Sequence, residues 1–307
     1  MNTILFSLPG NQSLTHQLAK KLDIEEGQFS FREFPDCETY IRIQTPVAGK
    51  KVILVCTLDR PDDKLLPLYF LAKTLKDQGA KHICLLAPYL AYMRQDKIFK
   101  PGEAVTAKYF ASLISSFADS LITVDPHLHR ISKLEEVYSI PTKVVHAAQP
   151  VANWIKANVQ NPILVGPDSE SHQWVSEVAS LADLPFIVLE KVRKGDRDVT
   201  VSIPQVAEYK NHTPVLIDDI ISTARTMMQT VKHLLNAGMK APVCVGVHAI
   251  FASAAYLDLM ATGIEKVVTC NTVEHYSNAI DLSELYLDVL TDEEGSLVDN
   301  FWEFQGF

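Results

Sequence analysis

The stretch VLIDDIISTART, Val215–Thr226, decides how the rest of the chain is read. Three apolar residues, Val215, Leu216 and Ile217, run into two adjacent aspartates, Asp218 and Asp219. Ile220 and Ile221 follow, then Ser222, Thr223, Ala224, Arg225 and Thr226. Apolar residues at helical spacing (Met227, Val231, Leu234, Leu235) come next. The pattern is a buried strand entering a helix through a hydroxyl-rich loop. Backbone N–H groups and hydroxyls at the positive end of a helix bind phosphate well. Paired carboxylates repel phosphate but hold sugar hydroxyls, directly or through a divalent cation. The segment suits a ligand with both a phosphate and a polyol, as in a ribose phosphate. The same residue types also cap helices where no ligand binds. On this stretch alone the two readings stand level.

Outward from it, short apolar runs alternate with helical patterns. The runs are Thr3–Ser7, Lys51–Leu58, His82–Pro88, Leu121–Val124, Pro162–Val165, Phe186–Leu189, Val215–Ile217, Val243–His248 and Val267–Cys270. The helical patterns are Ser13–Leu22, Lys64–Gln78, Ala104–Phe117, Val151–Val159, His172–Ala182, Thr226–Ala237 and Ala254–Thr262. Continuous apolar strands between helices predict an α/β fold of parallel sheets covered on both faces. Segments Phe29–Phe34 and Thr39–Gln44 alternate and flank a polar turn, which predicts a hairpin. The charged stretch Lys191–Asp198 reads as a mobile loop or the tip of a long hairpin.

A weak internal echo suggests two similar domains. Val124-Asp125-Pro126-His127 resembles Ile217-Asp218-Asp219, and Ala87-Pro88-Tyr89 resembles Gly166-Pro167-Asp168. The expected division is 1–145, 146–285 and a tail, 286–307, packing back on the first domain, with the boundary near Thr142–Pro150. At 307 residues the chain has room for two cores.

The formal net charge of -9 argues against nucleic acid as a partner. Five scattered cysteines without CxxC spacing argue against a disulfide framework or a zinc site, which makes a reducing cytoplasm the simplest setting. No long uncharged apolar stretch predicts a membrane span. The chain lacks the glycine-rich P-loop, the dinucleotide fingerprint and the nucleophile elbow.

Four more polar clusters lie at expected strand ends, where parallel sheets collect ligands. Tyr89–Lys100 carries Arg94, Gln95, Asp96, Lys97 and Lys100, suited to polyphosphate and a base edge, or to solvent. His127, past Asp125-Pro126, suits a metal or phosphate, or a helix cap. Asp168 can ligate magnesium, while Ser169 or Ser171 reads as the cap of the next helix. Lys191 and Arg193 fall on one side of an extended chain and can close over a transferring phosphoryl group.

Taken in order, these clusters resemble ribose-phosphate pyrophosphokinases. The resemblance rests on FPDCE (Phe34–Glu38), PYLAYMRQDK (Pro88–Lys97), VDPH (Val124–His127), GPD (Gly166–Asp168), KVR (Lys191–Arg193) and VLIDDIIST (Val215–Thr223). It spans nearly the whole chain. It implies two phosphoribosyltransferase-type domains, a homo-oligomer (dimer or hexamer), and transfer of pyrophosphoryl from Mg-ATP to ribose 5-phosphate, with AMP released. By the same resemblance Asp36, Glu38, Arg94 and Gln95 hold ATP. His127 and Asp168 hold magnesium, and Lys191 and Arg193 are the catalytic cations. Asp218 and Asp219 take the ribose hydroxyls, and Ser222, Thr223, Ala224, Arg225 and Thr226 the 5-phosphate. Two other readings share parts of the pattern: a phosphoribosyltransferase, and a non-catalytic regulatory homologue. Departures mark a divergent branch. The phosphate loop reads Thr223-Ala224-Arg225-Thr226 where T-G-x-T is usual, and Cys37 replaces a usual glycine. Ser169-Glu170-Ser171 stands where glycines are common, and Pro126 and Arg130 differ from the commonest bacterial form.

Overall fold

The computed structural model describes residues 3–128, 130–168, 171–189, 191–194, 198–201 and 206–291, with backbone alone for 191–194, 198–201 and 206–207. It divides into two compact units. One runs to Val145 and resumes at Ser283; the other is His146–Leu282.

The first unit is built on a six-stranded parallel sheet. Its strands are β1 (Thr3–Ser7), β2 (Glu25–Glu26), β5 (Lys51–Val55), β6 (His82–Ala87), β7 (Ser120–Val124) and β8 (Thr142–Val145). The spatial order is β2-β1-β5-β6-β7-β8. Strands β5 and β6 are apolar and buried after their first residues, and β7 is buried at every position, because helices cover both faces. The covering helices are α1 (Gln12–Leu22), α2 (Pro61–Asp77) and α3 (Thr106–Ser115). Helix α1 buries Leu14, Leu18, Ala19 and Leu22, one stripe at helical spacing. A hairpin of β3 (Phe29–Glu33) and β4 (Thr39–Ile43) stands between β2 and β5 in sequence and pairs antiparallel, as its alternation predicts.

The second unit repeats the plan. Its strands are β9 (Pro162–Gly166), β10 (Phe186–Val188), β13 (Thr213–Ile221), β14 (Val243–Ala249), β15 (Lys266–Cys270) and β16 (Asn278–Ile280), in the order β10-β9-β13-β14-β15-β16. Its helices are α4 (Ala148–Asn158), α5 (His172–Ala182), α6 (Arg225–Asn236) and α7 (Ala255–Met260). Between β10 and β13 lies a second hairpin, β11 (Lys191–Lys194) against β12 (Asp198–Val201). The charged stretch expected as a loop or hairpin tip thus contains paired strands; residues 195–197 lie outside the described residues.

Several expectations need correction. The internal echo was misaligned by topology. Strand β13 corresponds in position to β5, not to β7, and β9 corresponds to β1, not to β6. Strand β13 does not stop at Ile217. It pairs with β14 through Asp218, Ile220 and Ile221, so the aspartates belong to the strand. The two units meet at Val145 and His146, within Thr142–Pro150, a stretch that also holds β8 and the start of α4. Strands β2, β8 and β16 carried no usable pattern because each is a short edge or near-edge segment. A last helix, α8 (Ser283–Leu290), groups with the first unit, where Lys21 bonds Ser283 (3.1 Å) and Glu284. The rest of the expected tail, 292–307, lies outside the described residues.

Candidate functional site

In an open parallel sheet the ligand crevice lies where strand order reverses. In the second unit the chain moves outward from β9 to β10 on one side and to β13 on the other. The reversal is therefore between β9 and β13. Asp168 follows the end of β9, and Asp218 and Asp219 sit on β13. The Ser171 hydroxyl donates to the Asp168 carbonyl at 2.6 Å, bracing this turn. Ser171 stands at the N-cap position of α5, but its side chain does not cap the helix, contrary to expectation. Ser169 and Glu170 lie outside the described residues.

The Asp219 amide donates to Asp218 Oδ1 (3.1 Å), and the Ile220 amide donates to Asp219 Oδ1 (2.8 Å). Burial pushes the Asp218 carboxyl well above the ordinary aspartate range, and the neighbouring carboxylates of Asp219 and Asp168 add to the rise. Asp218 therefore lies in the field of both neighbouring carboxylates. Gly246 pairs opposite Asp218 on β14, and a Cβ there would lie 2.6 Å from the Ile221 side chain. A side chain at this position would force Ile221 to move.

The loop from β13 into α6 is Ser222-Thr223-Ala224. Its backbone is held by β14's continuation: the amides of Phe251 and Ala252 donate to the carbonyls of Ile221 (2.9 Å) and Ser222 (3.1 Å). Ala224 has φ 54°, the left-handed region that favours glycine, and its methyl is buried. This residue turns the chain into α6. The first N–H groups of a helix lack partners within it. Here no side chain caps them, and the first turn carries no acidic residue. Ser222 and Thr226 are half-buried, while Thr223 and Arg225 are exposed. The result is a hydroxyl-lined, positively polarised helix end beside a carboxylate pair. That arrangement suits a phosphate at one end of a polyol.

In the first unit, Arg94 and Gln95 follow β6. Arg94 is exposed. Gln95 is anchored by the Thr106 hydroxyl at 3.0 Å, and its carbonyl accepts the Ala107 amide at 3.3 Å. The preceding Tyr92 has φ 63°, and its hydroxyl bonds Asp62 at the start of α2. Hydrogen bonding to Asp62 raises the Tyr92 pKa. His127 is half-buried in the loop after β7. Asp36 and Glu38 lie in the exposed tip of the β3–β4 hairpin, where the Glu38 amide donates to Asp36 Oδ1 at 3.4 Å. Cys37 there has φ 67°, so the position usual for glycine keeps a glycine-like backbone.

Lys191 and Arg193 are two apart on β11, and their side chains lie outside the described residues. Among the described residues no three His, Cys, Asp or Glu side chains gather as a metal site. The expected magnesium contacts belong to different units, His127 to the first and Asp168 to the second. Also among the described residues, no helix is long and apolar enough to cross a membrane.

Sequence reading missed three contributors. Asn11 is buried in the turn after β1, and its Oδ1 accepts the Thr57 amide at 2.9 Å. Asp96, read within a charged cluster suited to polyphosphate or to solvent, is buried. Phe251, Tyr256, His275 and Tyr276 form an aromatic group, with the His275 and Tyr276 rings 4.0 Å apart. A buried Asn or Asp in a polar loop leaves no periodic signal, and neither does an aromatic group assembled from separate loops.

Residues 3–117 match the family model of the N-terminal domain of ribose phosphate pyrophosphokinase, and residues 134–286 match the phosphoribosyl transferase domain. The ribose-phosphate pyrophosphokinase of Methanobrevibacter smithii is 31% identical over 92% of this chain and 98% of that protein. That of Saccharolobus solfataricus is 30% identical over 93% and 97%. The crystal structure of phosphoribosylpyrophosphate synthetase from Mycobacterium smegmatis superposes with a TM-score of 0.82 at 24% identity, covering 93% of this chain and 96% of that one, and so shares the fold. The two matched domains and the full-length relatives together establish that this chain belongs to the ribose-phosphate pyrophosphokinase family and is an enzyme of that class.

Proposed function

We propose that the protein transfers the β,γ-pyrophosphoryl group of ATP to the C1 hydroxyl of ribose 5-phosphate. The C1 oxygen attacks the β-phosphorus in line, the bond to the bridging oxygen of AMP breaks, and 5-phosphoribosyl 1-pyrophosphate forms. The carrying observation is the reversal point of the second unit. It sets a carboxylate pair, Asp218 and Asp219, on the strand that feeds an uncapped helix end free of acidic residues. Asp218 and Asp219 take the ribose hydroxyls. Ser222, Thr223, Ala224, Arg225 and Thr226 take the 5-phosphate through backbone N–H groups, hydroxyls and one cation.

ATP falls to residues of the first unit: Arg94 and Gln95, with Asp36 and Glu38 on the hairpin. Lys191 and Arg193 supply positive charge to the reacting phosphates. Such transfer depends mainly on positioning and charge stabilisation. Magnesium fits the donor set, because burial first and then the neighbouring carboxylates of Asp219 and Asp168 raise the Asp218 pKa, and a divalent cation offsets that clustered negative charge. It usually keeps several waters and takes only one or two protein carboxylates besides substrate phosphates. Asp168 and His127 are the residues assigned to it. When bound, the ion neutralises phosphate charge.

A homo-oligomer and a cytoplasmic setting complete the reading, the latter supported by five free cysteines. The test is incubation with Mg-ATP and ribose 5-phosphate, assaying AMP and the 1-pyrophosphate together. Equimolar appearance of both is expected. AMP-free reaction mixtures from folded protein would sink the proposal.

A further inference from the structure

Asp96 is a buried acidic residue in the loop after β6, with its side chain 2% exposed. It follows Arg94 and Gln95 directly. Its partner is Arg130, which donates from Nη1 to both carboxylate oxygens at 3.3 and 3.4 Å. Arg130 is three residues beyond His127, in the loop after β7. Its guanidinium also lies 5.3 Å from the centre of the Phe99 ring, in the loop after β6. One side chain thus meets the neighbouring loop twice, by charge and by its flat face. The loop after β6 has no regular secondary structure between Ala87 and Thr106 to fix it. It is tied instead at Gln95 to Thr106 and at Asp96 to Arg130.

Only Asp96 of this pair is buried, while Arg130 is exposed; such a pair is weak support for stability, because desolvation offsets much of the attraction, and fixing one arrangement is the better-attested use. We infer that Arg130 is a positioning residue: through Asp96 and Phe99 it joins the His127 loop to the Arg94–Gln95 loop and presets the latter for nucleotide. The inference rests on the assignment of ATP to Arg94 and Gln95.

The test is steady-state kinetics on the full chain, with KM measured separately for ATP and for ribose 5-phosphate. Arg130→Gln should raise KM for ATP about tenfold and leave KM for ribose 5-phosphate within about twofold. Arg130→Lys, which keeps a cation, should stay within about threefold of the parent for both. Arg130→Gln leaves a buried carboxylate unpaired and can fail to fold. In the double variant Asp96→Asn/Arg130→Gln no unpaired charge remains. It should melt near the parent yet still show the raised KM for ATP. An unchanged KM for ATP in either folded variant overturns the inference, as does a parallel rise in both KM values. Arg94→Ala separates the two levels. If it leaves KM for ATP unchanged, the nucleotide assignment itself fails. If it raises KM for ATP while the Arg130 variants do not, only the positioning role fails.

Discussion

The two units share one plan and differ in what they put at its reversal point. In the first unit that point lies between β1 and β5, in the second between β9 and β13. The first is closed by protein groups. Asn11 fills the turn after β1 and takes the Thr57 amide, while Lys64 donates to the Thr57 carbonyl (3.0 Å) and pairs with Asp59. The helix after β5 begins with Asp62 and Asp63, which repel an anion from its positive end. In the second unit the corresponding helix starts with Arg225 and has no acid in its first turn. Both helices are entered through a non-glycine left-handed residue, Arg60 at φ 47° and Ala224 at φ 54°. The backbone turn is therefore common to both, and on the proposed reading the charges around it decide which unit receives phosphate. The hairpins differ likewise: acidic Asp36 and Glu38 at the tip of one, basic Lys191 and Arg193 on a strand of the other.

This contrast can be broken at several places. Lys191→Ala removes a cation from the basic hairpin and should lower kcat about a hundredfold or more with melting temperature unchanged. Equal kcat in parent and variant would remove that hairpin from the chemistry. Asn11→Ala leaves the Thr57 amide without its buried acceptor, so about 1–3 kcal/mol of stability should be lost in denaturant titration. Affinity of the folded variant for ribose 5-phosphate should not change, because the closed reversal point is structural. A weakened sugar phosphate affinity would show that the first unit's point is not closed to function.

Ala224→Gly should gain up to about 1 kcal/mol of stability by relieving a left-handed alanine, with some offset from the freer unfolded chain. Phosphate affinity should rise slightly, as calorimetry can measure. A loss of both would mean that the buried methyl packs better than the strain costs.

Asp218→Asn gives the smallest effect, on pH dependence. The folded-state pKa of Asp218 is raised above its unfolded value. As pH climbs above about 4, the unfolded chain releases this proton before the folded one does, so the parent loses stability over that window. The amide has no proton to release. Melting temperature should therefore fall less with rising pH in the variant than in the parent. Identical slopes would show that the Asp218 pKa is not raised in the folded protein.

Much of the fold was legible because buried parallel strands such as Ile83–Leu86 and Val243–Val247 are apolar at every position, and helices such as His172–Ala182 carry one clean stripe. Strands without that property were not legible. Glu25–Glu26 is charged, and Thr142–Val145 and Asn278–Ile280 are short edges. The aspartates of Val215–Thr226 looked like a strand end, since a charge in a buried strand is costly unless something holds it. They are strand residues instead, and that cost appears as the raised Asp218 pKa. The roles of Asn11 and Asp96 were illegible, because burial of a polar side chain in a loop depends on partners far away in sequence, Thr57 and Arg130.

The central claim is that the open reversal point of the second unit holds the sugar phosphate. Calorimetric titration of ribose 5-phosphate into the parent and into Asp218→Asn/Asp219→Asn, both with magnesium present, tests it most directly. The account predicts saturable binding to the parent and affinity weaker by about a hundredfold in the variant, whose helix end remains intact. Equal affinity in the two proteins would contradict it.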